Sequence, residues 1–427
     1  MAITGRFVAL LALALVLSPL PWAAFITVLA LLALAAVTDA ALAARIADVS
    51  IERAPVPATR LGESVSTEIV LRNTGRRRLR AEAVDCWVPS AGARIEHRSL
   101  DIRPGERARV DTVLTPTRRG ERAAVTVTVR SYGPLRLLAR QRRFPVGGHL
   151  KVLPRFSARK FLPEKLSRLR YIDGSVLVRQ RGQGSEFDSL REYVVGDDVR
   201  SLDWRATARS RDLMVRTWRP ERDRHVVLAL DTGRGAAARI GDEPRLDAAL
   251  DAALLMGALA ARAGDRIALV AADAVVRARL PLTTRSDVLA RLVGALTPLQ
   301  PALVETDAQL LAAEVLRTTS RRSLVILFAG LDDAADDGVI TAARAIVNRH
   351  QLVVASVLDP RLRELAERRD DTDEIYLAAA AEGALLARET VATRLRQLGA
   401  TVVQAPAETF ASAVADAYLD LKAAGRL

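Results

Sequence analysis

The sequence predicts a doubly wound α/β domain, preceded by a two-helix transmembrane hairpin and a small immunoglobulin-like β-sandwich. Three observations lead there. Residues 7–37 carry no charge and are almost wholly apolar. Short segments of alternating polarity follow, punctuated by glycine and proline. Beyond them, buried apolar strands alternate with amphipathic helices. The expected division is residues 1–45 for the hairpin and 46–153 for the sandwich. A basic connector with a charge-dense segment takes 154–222, and the α/β domain takes 223–427. A chain of 427 residues is long enough to bury a core in each folded part.

The apolar run breaks at Ser18-Pro19-Leu20-Pro21, where two prolines disfavour helix. One straight helix would exceed the roughly 20 residues that cross a bilayer. Two helices near 7–17 and 22–38 fit better, the first short enough to thin the bilayer or stop short of crossing. A secretory signal would need a small-residue cleavage site, and Leu17-Ser18-Pro19 is a poor one with a second apolar run behind it. A buried soluble hairpin would need a large apolar partner surface, and the sequence offers none. Arg6 precedes the run and Arg45, Arg53 and Arg60 follow it. The positive-inside tendency then places both ends, and all soluble parts, on the cytoplasmic side of the cell membrane. The single Cys86 allows no intrachain disulfide, as suits a reducing compartment. The net charge of +13 is almost all arginine. It suits an anionic bilayer, whereas no nucleic-acid signature accompanies it.

Residues 65–71, 108–114 and 124–130 alternate in polarity, with turn signals at Asn73-Thr74-Gly75, Pro104-Gly105, Gly120 and Gly133-Pro134. Such regular short strands read as a sandwich, either a binding module or, since nothing in it looks catalytic, a spacer. Residues 155–181 are basic, with Arg159, Lys160, Lys165, Arg168 and Arg170. They read as a solvated linker in preference to a lipid-facing patch.

Residues 184–221 hold eight acidic residues, seven arginines, two tryptophans and a tyrosine, a density of charge and large aromatics that surface loops seldom carry. Gly196-Asp197 reads as a turn entering a helix that runs to about residue 208, capped by Asp197 or Asp198. On that helix Arg205 and Arg209 are four apart, Arg200 and Asp203 three apart. Two readings stand. One is an ion-pair network pinning the segment to the main domain. The other is a partner-binding face built on Arg200, Trp204, Arg205 and Arg209, with Arg191, Tyr193, Asp197 and Asp203 beside them.

The α/β domain is read from strands at 225–230, 266–272, 275–280, 324–328, 352–358 and 401–404. Helices at 246–263, 287–296, 307–318 and 409–423 alternate with them, with further helices after 328 and before Leu398. Ligands in such sheets bind at the carboxyl ends of the strands. Gly233 to Ala238 fits the loose dinucleotide pattern G-x-G-x-x-A, but no acidic residue ends the second strand and there is no Walker A motif. His97, His149, His225 and His350 are scattered. No constellation supplies the roles of an active site, so an enzyme is not expected.

The ordered series Phe187, Arg191-Glu192-Tyr193, Gly196-Asp197, Arg200-Ser201, Asp203-Trp204, Ala208-Arg209 and Glu221 resembles the signature of a bacterial family, that of domain of unknown function fifty-eight. The resemblance implies a von Willebrand factor A-like domain, whose metal-dependent adhesion motif reads Asp-x-Ser-x-Ser, then a threonine, then an aspartate. Here Asp231 and Thr306 match, but the serine positions are Gly233 and Gly235. The aspartate position is Gly330, with Asp332 and Asp333 just beyond. Magnesium is the ion such a set suits; with Asp231, Thr306 and Asp332 as the candidates, Asp333 as the alternative acid, and Arg234 alongside, it is not the expectation. The resemblance also implies a MoxR-type AAA+ ATPase as partner. The expected protein is a membrane-anchored cytoplasmic adaptor. Its rivals are a metal-dependent enzyme using the strand-end acids and an extracellular adhesion receptor.

Overall fold

The computed structural model describes residues 2–16, 21–179, 186–210, 212–219, 224–283, 287–332 and 337–427. The expected turn at Ser18 to Leu20, and Glu221 and Asp333, lie outside them. The chain forms two compact units, Met1–Leu153 and Pro154–Leu427.

The first unit begins with helices Gly5–Val16 and Trp22–Leu42. Among the described residues one helical stretch, Trp22–Asp48, is long and apolar enough to cross a membrane, with mean hydropathy 2.3; Gly5–Val16 is apolar but shorter. The two apolar helices are anchored at the same turn, residues 133–138. Asp39 is buried at the end of the second helix and accepts the amides of Leu135 at 2.7 Å and Leu137 at 2.8 Å. Thr4, just before the first helix, donates its hydroxyl to the carbonyls of Arg136 and Leu137. Gly133 is required here, because a Cβ would sit 2.1 Å from the Asp39 carbonyl oxygen.

The rest of this unit is two facing sheets, one of seven strands and one of three. Strict alternation makes them two-faced. Leu79–Trp87 buries every second residue. Ile69, Leu71 and Val110 of the smaller sheet meet Leu79, Ala81, Val127 and Val129 of the larger in one core. Arg53 bridges the sheets through two hydrogen bonds to Asp85, 2.6 and 2.8 Å, and lies over the Trp87 ring.

The second unit is built on six strands: β1 His225–Asp231, β2 Arg266–Ala272, β3 Val276–Thr283, β4 Leu324–Phe328, β5 Gln351–Leu358 and β6 Thr401–Pro406. Their order is β3-β2-β1-β4-β5-β6, with β3 antiparallel to β2 and the other pairs parallel. Both faces are covered, which is why β1 is an unbroken apolar run. Leu228 and Leu230 pack with helices Arg245–Ala263 and Ala407–Ala423, while Val227 and Ala229 pack with Ala308–Thr318, Gly338–Val347 and Thr372–Gln397.

The basic stretch after residue 154 is not a solvated linker. It forms a short 3-10 turn and the helix Leu162–Arg179. Ala158, Leu169 and Ile172 enter the main core, joined by the partly buried Leu162 and Leu166. Apolar residues at helical spacing outweigh the exposed arginines on the other side. Lys165 is itself buried against Asp416, at 2.9 Å.

Candidate functional site

Two places in the second unit gather the residues singled out by sequence. The first is a hairpin. Strands Glu186–Glu192 and Met214–Arg219 pair antiparallel, with Leu190 opposite Arg216 and Glu192 opposite Met214. They enclose residues 193–213. The single helix expected there is instead two separate turns. Asp198 accepts the Arg200 amide and caps Val199–Ser201. Asp203, on extended backbone, accepts the amides of Arg205 and Ala206 at 3.0 Å and caps Trp204–Thr207. An aspartate five residues into a helix does better as a second cap, where its oxygen satisfies otherwise orphaned amides.

The ion pairs here hold the hairpin to itself. Arg191 makes two hydrogen bonds to Asp197, at 2.5 and 2.8 Å, and Asp197 also accepts the Val194 amide. The guanidinium, with that amide second, holds the Asp197 carboxyl below the usual range. Asp203 pairs with Arg216 at 2.8 Å rather than with Arg200, and that contact is the main reason its carboxyl is lowered too. Arg200, Arg205 and Arg209 are exposed and make no ion pair among the described residues. Tyr193 is half-buried. Trp204 is 68% exposed, and Val194, Val195 and Val199 stand out at 61%, 95% and 65%.

The second place is the carboxyl end of the sheet. Asp231, closing β1, accepts the Thr306 hydroxyl at 2.5 Å and the Gly233 amide at 2.7 Å on one oxygen. These two expected residues do come together. Gly233 is tightly fitted: its Cβ would lie 2.2 Å from the Thr306 hydroxyl oxygen. Asp332 does not join them, because its two oxygens are held by Arg245 and Arg388. Arg388 is buried and also donates to the Ser356 hydroxyl at 3.2 Å and the Val357 carbonyl at 3.1 Å. Burial first, and the charge of Arg388 second, lower the Arg245 guanidinium to about 10; burial lowers Arg388 as well. Arg234 turns outward to Glu305, at 2.6 Å.

Magnesium asks for several hard oxygens in near-octahedral array. Here two serine positions are glycine, the Asp332 carboxylate is taken by two guanidiniums, and one Asp231 oxygen is occupied by Thr306 and the Gly233 amide. This donor set does not fit the ion. Among the described residues no group of three or more His, Cys, Asp or Glu could hold a metal. The cavity between Asp231, Gly235, Arg245 and Gly330 measures about 20 Å³, room for about one water.

A family model described as protein of unknown function DUF58 matches residues 189–404, from the first hairpin strand into β6. The chain belongs to this family. DUF58 relatives include the uncharacterised proteins Rv1480 of Mycobacterium tuberculosis and Mb1516 of Mycobacterium bovis, each 29% identical over 192 residues. The match covers 44% of this chain and 60% of each relative. Among solved structures, the conserved hypothetical protein BatB of Bacteroides thetaiotaomicron is 15% identical over 47% of this chain and 99% of its own, with TM-score 0.33. A PapD-like domain of human CEP192 is 17% identical over 24% of this chain and 84% of its own, with TM-score 0.20. Likenesses this weak assign neither a fold name nor an activity.

Proposed function

We propose that this DUF58 protein is a membrane-anchored cytoplasmic adaptor that presents its signature hairpin to a protein partner, a MoxR-type AAA+ ATPase. One observation carries the reading: Trp204, Val194, Val195 and Val199 stand in solvent beside three arginines that make no ion pair among the described residues. Burying a large apolar side chain stabilises by about 1.5–3 kcal/mol, so four left exposed together favour a covering surface. Tryptophan and arginine are also the residues that dominate binding hot spots. The ion pairs Arg191–Asp197 and Asp203–Arg216 brace that face rather than contribute to it.

The remaining parts take supporting roles. The strand order with one antiparallel edge supports a von Willebrand factor A-like reading of the second unit, and the two facing sheets an immunoglobulin-like spacer. The apolar helices, both anchored at residues 133–138, act as a hairpin whose two ends leave the bilayer together. Arg6 and Arg45 at those ends favour the cytoplasmic side.

The test is binding of the full chain, reconstituted in nanodiscs, to the organism's MoxR-type ATPase with and without ATP and magnesium. Trp204→Ala and Arg205→Glu should each weaken binding at least about tenfold, as expected for hot-spot residues, with circular dichroism unchanged. Unaltered affinity in both variants would remove the hairpin as the contact. No binding in any nucleotide state would remove the ATPase as the partner.

A further inference from the structure

The clamp around residues 133–138 brings together residues far apart in sequence. Thr4 grips the turn from the start of the first apolar helix and Asp39 from the end of the second. Residues 2–3 add a short strand pairing with Leu138 and Ala139. Arg77, from another loop, donates to the Ala41 carbonyl on the last turn of the second helix. Arg136 sits on the turn itself in a left-handed conformation, φ 56°. With Arg6 and Arg45, the result is four exposed arginines from four segments at the single end where the apolar helices meet the sheets. Leu135, next to Arg136, is 55% exposed, and Ile3 67%. Asp39, the carboxylate that grips the turn, is buried and faces backbone amides.

We infer that this end of the first unit is a collar for anionic phospholipid headgroups, with Leu135 and Ile3 dipping into the interface and Arg6, Arg45, Arg77 and Arg136 meeting lipid phosphates. The inference rests on the apolar helices lying in the bilayer. If they do, the turn that grips both their ends sits at headgroup depth as a matter of connectivity. An exposed leucine next to Arg136, at the end where Arg6, Arg45 and Arg77 also emerge, matches that boundary, with its apolar side below and its charge above. Each arginine near an anionic surface strengthens lipid association by about fivefold. The basic stretch after residue 154, the other lipid-facing candidate, is folded into the core of the second unit.

The test uses the full chain in nanodiscs, with a nitrobenzoxadiazole label on Leu135→Cys in a Cys86→Ser background. Shallow doxyl-labelled phosphatidylglycerol or phosphatidylcholine is included at equal mole fraction. The label should be quenched, and the glycerol lipid should quench about fivefold or more effectively than the choline lipid. Arg77→Glu with Arg136→Glu should abolish that preference, and Arg77→Lys with Arg136→Lys should keep it. Inorganic phosphate should not compete, since the site draws on a surface and not on a single anion. Equal quenching by the two lipids, or a preference that survives charge reversal, overturns the collar. Quenching of Trp22 separates the two levels. If it is quenched while the label at 135 is not, the collar alone fails; if neither is quenched, the membrane reading fails with it.

Discussion

Removing the carboxylate of Asp332 should destabilise the strand-end region of the second unit far more than its own exposure suggests. Asp332 is 39% exposed, yet it is the acid that Arg245 and Arg388 share, with side chains 11% and 2% exposed. Deleting one partner of a buried pair costs about 3–5 kcal/mol, because the opposite charge is left uncompensated. Since Asp332 is part-solvated and Arg388 keeps its bonds to Ser356 and Val357, the lower figure applies, about 3 kcal/mol. Hydrogen exchange by mass spectrometry reads this locally. In Asp332→Ala, amides of β4 and β5 should exchange about 100-fold faster, at roughly 1.4 kcal/mol per tenfold. Adding Arg388→Met removes one of the stranded cations and should recover at least about 1 kcal/mol, as coupled neighbours do. An Asp332→Ala protein whose exchange changes less than about fivefold would refute the reasoning, for it would mean the guanidiniums are well solvated. So would a double variant whose losses simply add.

Two further outcomes follow from buried polar groups. Asp39→Ala leaves the amides of Leu135 and Leu137 without their acceptor and should cost about 2–4 kcal/mol, read as faster exchange confined to residues 133–138; unchanged protection there would contradict the clamp. His350 is buried, neither ring nitrogen has a partner among the described residues, and burial with Arg349 nearby lowers its pKa. The unfolded chain then binds the proton more readily, so stability is full above the unfolded value of about 6.5 and falls as pH drops towards the depressed folded value. Urea midpoints between pH 7.5 and 5 should show that loss in the native chain and a smaller one in His350→Gln; equal slopes would assign the loss to other groups.

Much of the main sheet was legible because its signal is local. A short apolar run such as His225–Asp231, too short for a buried helix and followed by glycines, fits a doubly covered strand, and the long helix Arg245–Ala263 announces itself by periodicity. The strand-end site was legible only in part. Asp231 and Thr306 follow from the adhesion motif that the family resemblance implies, but the arginines holding Asp332 lie 56 residues away at Arg388 and in a separate helix at Arg245. No spacing rule links them. The hairpin was misread for a related reason. Local propensity favoured one helix across residues 197–208, whereas pairing of Leu190 with Arg216 and Leu202 with Val215 pulls the chain extended between two aspartate caps. The helix Leu162–Arg179 was hidden by its own charge, since arginines on the solvent side drew notice away from Leu162, Leu166 and Leu169 at helical spacing.

The most direct test of the adaptor account is hydrogen exchange on the full chain in nanodiscs, with and without the MoxR-type ATPase, ATP and magnesium. The account predicts that amides of residues 193–205 slow on complex formation, while those at the strand ends near Asp231 and Thr306 change less. A stable complex that leaves residues 193–205 exchanging as in the free protein would contradict it.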